Sequence, residues 1–595
     1  MTPSLRRVLA AAALPLLLAV LVRPAAAVTM DDRLRALGDE FVARWLARAP
    51  HEATRLGVHG ADGVLLPVSQ TTLAEDLAWL RGFRIRLASI RIAELGRERA
   101  VDRDLLAGRV ERQRLDLEVI RPFERDPGAY LPLVAGSIES VLERPVASPC
   151  QRLRLAARRL SRVPEVLRAA RINLRNPPRE LTELAIDLYA GVLRFYRETV
   201  PRLATGCRDA QVQADLAQAD TTAVRAVEDF LFYLREDLLP ASRGTLAIGP
   251  EGCRRLLRAE LLEEAVGDGP AEAADPIDSL LARARRVVEE RRAALEAVAP
   301  AVAPGGVRAA LDSLAAERPE AGGLVSYMER RLGGVREFLR QHEIVTMPER
   351  EALGVREARP FRSPLTLTGL DAAGAWEPRA TEAWLEVTPP DSAWDEGRRQ
   401  VHLARFDRRN AELAAMHDGL PGRFLRGVAL RGQPARLRQA LQGAWPAEEW
   451  GEYCEQMMVD EGYGAGDPGY RLAAAARALR YAGRSYAALA LHSGAMSTDE
   501  ARAMLEERCL LDPDDAARET RRAAADPAVM GYTAGARQLL ELRDEARRAL
   551  GPRFRIKVFN DAVLRYGASP AGIVRAGVRR ELGVGDGARP VGAKP

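Results

Sequence analysis

Apolar side chains recur at intervals of three and four residues over most of this chain, which is the periodicity of an amphipathic helix. Pro and Gly pairs interrupt the pattern and predict the turns between helices. Arg and Glu at helical spacing, as in 285–292, predict solvated, salt-bridged faces. We therefore predict an N-terminal helical region over 28–345. Its clearest helical segments are 77–95, 153–163, 180–200, 210–239 and 279–298.

The pattern changes near residue 347. Residues 360–390 are rich in Pro, Gly and Thr, and 381–388 (TEAWLEVT) alternate between apolar and polar side chains. Alternation predicts a strand, with 365–367 as a partner, so we expect a small β element over 360–390. Helical spacing returns at Arg398. The predicted fold class is mainly α, with a C-terminal helical region over 346–582 and a disordered Gly- and Pro-rich tail over 583–595.

The first 27 residues have the three parts of a secretory signal peptide. Arg6 and Arg7 precede an uncharged apolar run over 8–22, and three Ala at 25–27 offer a cleavage site. The run is short for a transmembrane helix, and no later stretch reaches the roughly 18 apolar residues that a span needs. We predict an exported protein, periplasmic or extracellular, without a membrane span after signal removal. The alternative is an uncleaved anchor.

The charge balance argues against a nucleic-acid partner. Lys and Arg number 88 against 83 Asp and Glu, giving a formal net charge of +5, and Lys occurs only at Lys557 and Lys594. Loss of the three Arg of the signal peptide lowers the formal charge to +2. Basic and acidic residues are interspersed, whereas a nucleic-acid surface needs a concentrated basic patch.

Histidine and cysteine are sparse. His51-Glu52 and His342-Glu343 each begin like an HExxH zinc motif, but both lack the second His, so neither predicts a metal site. The five cysteines have no zinc-type spacing, and their odd number leaves at least one unpaired or in an intermolecular bond. We expect most of them to be small core residues and leave their pairing open.

Another set of motifs lies in the C-terminal region. HDGLPGR at 417–423 is followed in order by EEWGEYCE, DPGYR, LHSG, YTAG and FNDAVL, which begin at 448, 467, 491, 532 and 559. This series resembles the domain of unknown function 885 family, exported bacterial proteins similar to zinc metallopeptidases, whose pattern begins HExxPGH and EGWAxYxE. Segments 50–60, 126–130 and 341–360 resemble that family too, so the resemblance spans nearly the whole mature chain.

The resemblance implies a large helical, zincin-like metallopeptidase architecture and a set of site positions. His417 matches the first metal-ligand His, Glu448 the downstream carboxylate ligand, and Asp418 the general-base Glu. Arg423 stands where the second His ligand is expected. The resemblance also implies three pocket residues, which are Tyr453, His492 and Tyr532.

These departures predict a degraded metal site. Arg423 has no lone pair to donate and stays cationic, so it cannot ligate zinc. Asp418 is one methylene shorter than Glu, which displaces its carboxylate by about 1.5 Å, and a misplacement of that size can cost about a hundredfold in rate. We expect the Arg423 guanidinium to pair with Glu448 and Asp418 in place of the metal. The alternative is that Arg423 is a surface substitution.

We interpret the chain as a non-catalytic or strongly altered member of a metallopeptidase-like family, a pseudoenzyme that binds a peptide or a cell-envelope partner in the inherited cleft. We expect no cofactor. One alternative is an active metal-dependent peptidase or hydrolase that uses His417, Asp418, Glu448 and an unrecognised ligand, with zinc as its cofactor. A second alternative is a structural helical partner protein, for which we expect a filled cavity.

Overall fold

The computed structural model describes residues 28–261, 276–320, 322–349, 352–377, 382–442 and 448–584. The predicted signal peptide over 1–27 lies outside the described residues, and so does the predicted tail except for Gly583 and Val584.

Helices make up most of both halves, which confirms the predicted fold class. In the described parts of the chain, no helix is both long enough and apolar enough to cross a membrane. The helices before residue 345 are α1 Met30–Arg48, α2 Pro50–Leu56, α3 Gln70–Ala88, α4 Arg97–Leu115, α5 Pro122–Arg125, α6 Ser137–Glu143, α7 Pro149–Leu160, α8 Val163–Asn173, α9 Arg179–Arg194, α10 Val200–Ala204, α11 Ala210–Phe232, α12 Leu239–Ala241, α13 Gly249–Leu261, α14 Ile277–Val298, α15 Gly306–Leu314 and α16 Leu324–His342.

A second series of helices follows a small sheet. These helices are α17 Glu396–Ala404, α18 Arg408–Ala414, α19 Arg423–Arg431, α20 Arg436–Gln442, α21 Glu448–Asp460, α22 Gly469–Ser493, α23 Thr498–Arg508, α24 Pro513–Ala525, α25 Tyr532–Leu550, α26 Ile556–Arg565 and α27 Ala571–Leu582. Within the described residues, five π-helical turns extend or join helices, at Asp116–Ile120, Pro132–Gly136, Phe195–Thr199, Tyr233–Leu238 and Ala415–Gly419.

Local features at the helix starts account for two differences between predicted and observed bounds, a capping box in one helix and a proline in the other. The segment predicted over 77–95 is α3, which begins at Gln70 because Ser69 and Thr72 form a capping box that satisfies its first backbone N–H groups. The helix predicted over 279–298 begins at Ile277, directly after Pro276. Apolar periodicity locates the buried face of a helix, but local hydrogen bonding sets its ends.

The three-stranded sheet has the strand order β1-β3-β2, formed by β1 Ala352–Glu357, β2 Thr368–Asp371 and β3 Glu382–Val387. The strand predicted at 381–388 is β3, and its antiparallel partner β2 begins just after the predicted 365–367. The predicted bounds of 360–390 were too narrow, because β1 pairs with β3 in parallel and begins before them. Leu353 and Val355 of β1 are buried beside Leu385, an alternation too short to stand out in the sequence.

Core residues on the two sides of residue 345 pack together. The largest hydrophobic cluster joins α16, through Leu332 and Val335, to the sheet and to α18, α21 and α22, and it includes Leu413 and Trp450. A second cluster fills the space between α6, α7, α9 and α11. A cavity lies between these two hydrophobic clusters.

The cysteines divide into one disulfide and three buried thiols. Cys150 and Cys207 are bonded to each other and link the start of α7 to the turn before α11. Cys253, Cys454 and Cys509 are unpaired and buried, which confirms the expected core role for these three. The disulfide matches the oxidising compartment that the N-terminal segment predicts.

Candidate functional site

The first residues of the HDGLPGR motif lie in a π-helical turn. This turn, Ala415–Gly419, continues α18 and carries His417 and Asp418, whose exposed fractions are 5% and 3%. The chain then reverses through a cis Leu420-Pro421 peptide into α19. A Cβ on Gly422 would collide with the carbonyl oxygens of Met416 and His417, so only glycine fits at this reversal. π-Helical turns are frequent at functional sites.

Helix α21 provides the partners of His417 from one face. Glu448, Gly451 and Glu455 follow at spacings of three and four residues, which brings them to the same side of the helix. The His417 Nδ1 lies 2.7 Å from Glu455 Oε1, and its Nε2 lies 3.3 Å from Glu448 Oε2. A Cβ on Gly451 would lie 2.6 Å from the His417 ring, so the glycine makes room for the imidazole. A carboxylate on Nδ1 that leaves Nε2 toward the site is typical of metal-ligating histidines.

The guanidinium of Arg423 lies between the carboxylates of Asp418 and Glu448. Its NH1 donates to Asp418 Oδ1 at 2.9 Å and lies 3.2 Å from Glu448 Oε1. The predicted ion pairs of Arg423 are therefore confirmed. The other carboxylate oxygen of Asp418 accepts a hydrogen bond from Thr368 Oγ1 at 2.7 Å, which connects the motif to β2.

These residues do not fit a zinc ion of the type that the resemblance implies. A guanidinium cannot coordinate a metal and repels a dication, and Arg423 contacts both carboxylates that would face one. Both ring nitrogens of His417 already face carboxylate oxygens. In the described ranges, no group of three or more His, Cys, Asp or Glu side chains is arranged to hold a metal.

The network is charged at neutral pH. Burial lowers the pKa of His417, but hydrogen bonds with Glu448 and Glu455 outweigh burial and raise it to about 9. Burial raises the pKa of Glu455, but Arg477 and His417 outweigh it and lower the pKa to about 2. The pKa of Glu448 is held well below its ordinary value, since Arg423 and His417 outweigh burial. Positive and negative charges thus alternate along the motif residues.

Helix α22 extends this network beyond the motif. Arg477 donates to Glu455 through Nε at 2.7 Å and through NH2 at 2.8 Å, which is a bidentate contact with one carboxylate. The Tyr481 hydroxyl donates to Glu455 Oε1 at 2.6 Å. Glu455 therefore accepts from three side chains and fixes the position of His417.

A cavity of about 530 Å³ opens beside the motif residues. Its walls are the segment 131–136, the loop from 358 to 367 with the first residues of β2, the motif residues, and the faces of α22 and α24. Arg362 holds the loop by contacts with Glu139 and Glu386. Four acidic side chains line the cavity, and these are Glu386, Asp418, Glu448 and Glu519. Seven arginines line it, and these are Arg362, Arg423, Arg477, Arg480, Arg484, Arg518 and Arg522.

Tyr453, one of the three predicted pocket residues, lies outside the lining of this cavity. Its hydroxyl donates to Asn560 Oδ1 at 2.7 Å, and Asn560 in turn donates to the carbonyl of Ile344. The neighbouring Asp561 accepts from the backbone and hydroxyl of Thr346. The FNDAVL segment thus holds the residues after α16 in place and does not contribute to the cavity.

His492 and Tyr532 also lie outside the cavity lining. The His492 ring nitrogens lie 3.0 and 2.9 Å from the carbonyl oxygens of Leu246 and Ala523, so the ring joins three chain segments. The Tyr532 hydroxyl donates to Asp526 at 3.2 Å. The contacts of Tyr453, His492 and Tyr532 do not support the pocket role that the resemblance implies for them.

The cavity residues that sequence reasoning missed lie on α22 and α24. Arg477, Arg480 and Arg484 recur at spacings of three and four residues in a helix otherwise rich in Ala. Arg518 and Arg522 are four residues apart on α24. A polar stripe at helical spacing within an apolar helix was the available signal. The general abundance of Arg in this chain concealed it.

The family model described as "Bacterial protein of unknown function (DUF885)" matches residues 50–578. The chain belongs to this family. No curated protein matches it.

Two solved structures share the fold of this DUF885 protein. One is described as a putative lipoprotein of unknown function from Shewanella oneidensis, at 20% identity and a TM-score of 0.70, covering 91% of this chain and 98% of that one. The other is described as the putative lipoprotein from Colwellia psychrerythraea, at 16% identity and a TM-score of 0.75, covering 93% and 99%. Identities this low indicate a shared architecture and carry no information about chemistry.

Proposed function

We propose that this protein is an exported binding protein that uses a metallopeptidase-like cleft without the zinc chemistry of such a site. It is a pseudoenzyme in this proposal, and its ligand in the cell is a peptide or a cell-envelope partner. The observation that carries the proposal is the position of Arg423, whose NH1 contacts Asp418 and Glu448 where the resemblance implies a metal ligand. A fixed cation there neutralises the carboxylates but supplies no Lewis acid.

The open cavity supports binding over a purely structural role. A structural helical protein is expected to fill such a space with side chains, whereas a volume of about 530 Å³ lies in the ordinary range of ligand pockets. The cavity is lined by motif residues and by α22 and α24. A ligand in it would contact Arg423, Asp418 and Glu448 directly.

Three observations support export. The N-terminal 27 residues have the pattern of a signal peptide, Cys150 and Cys207 form a disulfide, and the two structural neighbours are described as putative lipoproteins. The expected result on expression in a bacterium is a mature chain that begins near Val28, as N-terminal mass analysis would reveal. A mature chain that keeps the segment would contradict this part of the proposal.

Metal analysis of the purified native protein tests the pseudoenzyme proposal. We expect substoichiometric zinc and no difference between the native protein and a His417→Ala variant. Stoichiometric zinc that disappears in His417→Ala would contradict the proposal and favour the alternative of a metal-dependent hydrolase. Because His417→Ala removes a buried ion-paired group, its folding is checked by circular dichroism before metal is compared.

A further inference from the structure

The faces of α22 and α24 toward the cavity carry more guanidinium groups than carboxylates. The two helices pack against each other, so their cavity residues form one continuous surface, here called the arginine wall. Glu519 is the acidic residue of α24 that lines the cavity there. The guanidinium members of the arginine wall are Arg480, Arg484, Arg518 and Arg522. Arg477 of α22 also lines the cavity but is paired with Glu455, so it is counted with the motif network.

The carboxylates behind the arginine wall are shared among several arginines. Asp515 contacts Arg405 Nε at 2.7 Å, Arg480 NH2 at 3.1 Å and also the Arg518 guanidinium. A single carboxylate therefore serves three positive charges. Asp512 contributes a second carboxylate, but it contacts Arg405, which lies outside the cavity lining.

Buried donors of the arginine wall lack hydrogen-bond acceptors. Arg484 is 1% exposed; its NH1 donates to Glu519 at 3.2 Å, while its Nε and NH2 are buried without an acceptor among the described residues. The Arg484 NH2 lies 3.9 Å from Glu452 Oε1, too far for a hydrogen bond. Buried donors without acceptors are costly, so Arg484 contributes positive charge to this side of the cavity that Glu519 alone compensates.

Arg522 adds a charge without a close partner. It lines the cavity, and within the described parts of the chain it makes no side-chain hydrogen bond and no ion pair. Its charge acts at longer range on Glu448 and Glu519, and it contributes to the lowered pKa of both carboxyls against the effect of burial. Arg522 is thus positioned to contact a ligand without first breaking a protein contact.

We propose that the arginine wall binds a small molecule bearing a multiply charged oxyanion, either a phosphate ester or a polycarboxylate. Planar guanidiniums bind the oxygens of both groups in two-pronged hydrogen bonds. The cavity volume of about 530 Å³ suits a metabolite-sized ligand. The anion would contact Arg522 and offset its charge together with the charges of Arg480 and Arg518, which share Asp515. This inference rests on the proposed function in one respect, that the cleft binds a ligand.

Calorimetric titration of the full mature protein tests this proposal, with inorganic phosphate and pyrophosphate in one arm and citrate in the other. We expect saturable binding of at least one of these anions, weakened by added salt. Binding should be about tenfold weaker or more in Arg522→Gln, since a hydrogen bond to a charged group is lost. The matched control is Arg521→Gln, an exposed neighbour that pairs with Asp187 outside the cavity, and it should bind as the native protein does.

Three results would overturn the proposal. These are no saturable binding of any of the anions, binding unaffected by Arg522→Gln, and equal weakening by Arg521→Gln, which would indicate a diffuse charge effect. Should Arg522→Gln fail to fold, Arg480→Gln serves as the second variant, because Asp515 keeps Arg405 as its partner. Preference for the phosphates or for citrate identifies the source of the oxyanion.

The outcome is separable from that of the proposed function. Low zinc without anion binding overturns the anion site and leaves the pseudoenzyme proposal in place. Stoichiometric zinc together with anion binding that depends on Arg522 would overturn the pseudoenzyme proposal and leave the anion site in place. Arg522 is remote in sequence from the motif residues His417 and Arg423, so the two sites can be tested separately.

Discussion

The two charged walls of the cavity use the same residue types to opposite effect. The motif wall is formed by His417, Asp418, Arg423 and Glu448, with Glu455 outside the cavity lining as the partner of His417. Each of these charges contacts an opposite charge within 3.3 Å. On the arginine wall, Arg480 and Arg518 share Asp515 with Arg405, which lies outside the cavity lining. Buried donors of Arg484 have no acceptor among the described residues. The motif wall resembles a closed structural network, and the arginine wall resembles a surface that lacks its ligand.

This difference indicates where function lies within an altered site. Residues inherited in recognisable motifs need not be the ones whose charges are left uncompensated for a ligand. Here they neutralise one another and hold α18, α19 and α21 together. Arginines that belong to none of the recognised motifs line the cavity with positive charge that few carboxylates compensate. The family resemblance indicated which residues lie at the cleft. Only the hydrogen bonds and ion pairs in the structure show that its two walls differ in how their charges are compensated.

The largest expected effect comes from removing the buried charge that supports the motif wall. Glu455→Gln removes the charge that faces His417, Arg477 and Tyr481 while keeping the side-chain shape. Loss of one partner leaves buried charge uncompensated, so we expect the free energy of unfolding to fall by about 3–5 kcal/mol. Urea unfolding followed by circular dichroism measures this. The control Glu461→Gln, whose carboxylate pairs with the half-exposed Arg547, should cost at most about 1 kcal/mol.

An intermediate effect is expected at a charge cluster remote from the cavity. His59 contacts Asp62 at 2.9 Å and Glu377 at 2.8 Å, and these two carboxylates raise its pKa to about 9. A raised histidine pKa stabilises the fold fully below the ordinary value of about 6.5 and loses that stabilisation as pH rises toward 9.

The measurement is the unfolding free energy of native protein and His59→Asn between pH 6 and pH 9.5. The native protein should lose about 1 kcal/mol more than the variant over this interval, because the cluster is partly screened by solvent. Equal slopes would show that matched pairs outside the cavity do not stabilise the fold, and would weaken the same interpretation of the motif wall.

The smallest effect is expected from removing a charge of the arginine wall. Burial and the guanidiniums of Arg405 and Arg480 lower the pKa of Arg518 to about 10, so its charge is under repulsion in the folded protein. We expect Arg518→Gln to leave the unfolding free energy unchanged or to raise it by up to about 0.5 kcal/mol. A loss comparable to that of Glu455→Gln would remove the distinction between the walls.

The sequence predicted the helical class, strand β3 and the ion pairs of Arg423, because periodicity and charge complementarity act locally or between a few recognisable positions. It did not predict β1, because the short alternation of apolar and polar residues there indicates a strand only when its pairing with β3 is known. It assigned pocket roles to Tyr453, His492 and Tyr532. Tyr453 and His492 instead bond to residues far away in the chain, and Tyr532 bonds to Asp526 at the end of the preceding segment. Contacts between residues far apart in the chain decide such roles, and neither spacing nor composition encodes them.

The most direct test of the central claim is a double variant that restores the residues of the family pattern at two motif positions. In a variant carrying Asp418→Glu and Arg423→His, the cation that contacts Glu448 is replaced by a neutral ligand, while His417 keeps its carboxylate on Nδ1. Equilibrium dialysis against zinc compares this double variant with the native protein. Our account predicts one bound zinc per chain in the variant and none in the native protein. Equally tight zinc binding by the native protein would contradict it.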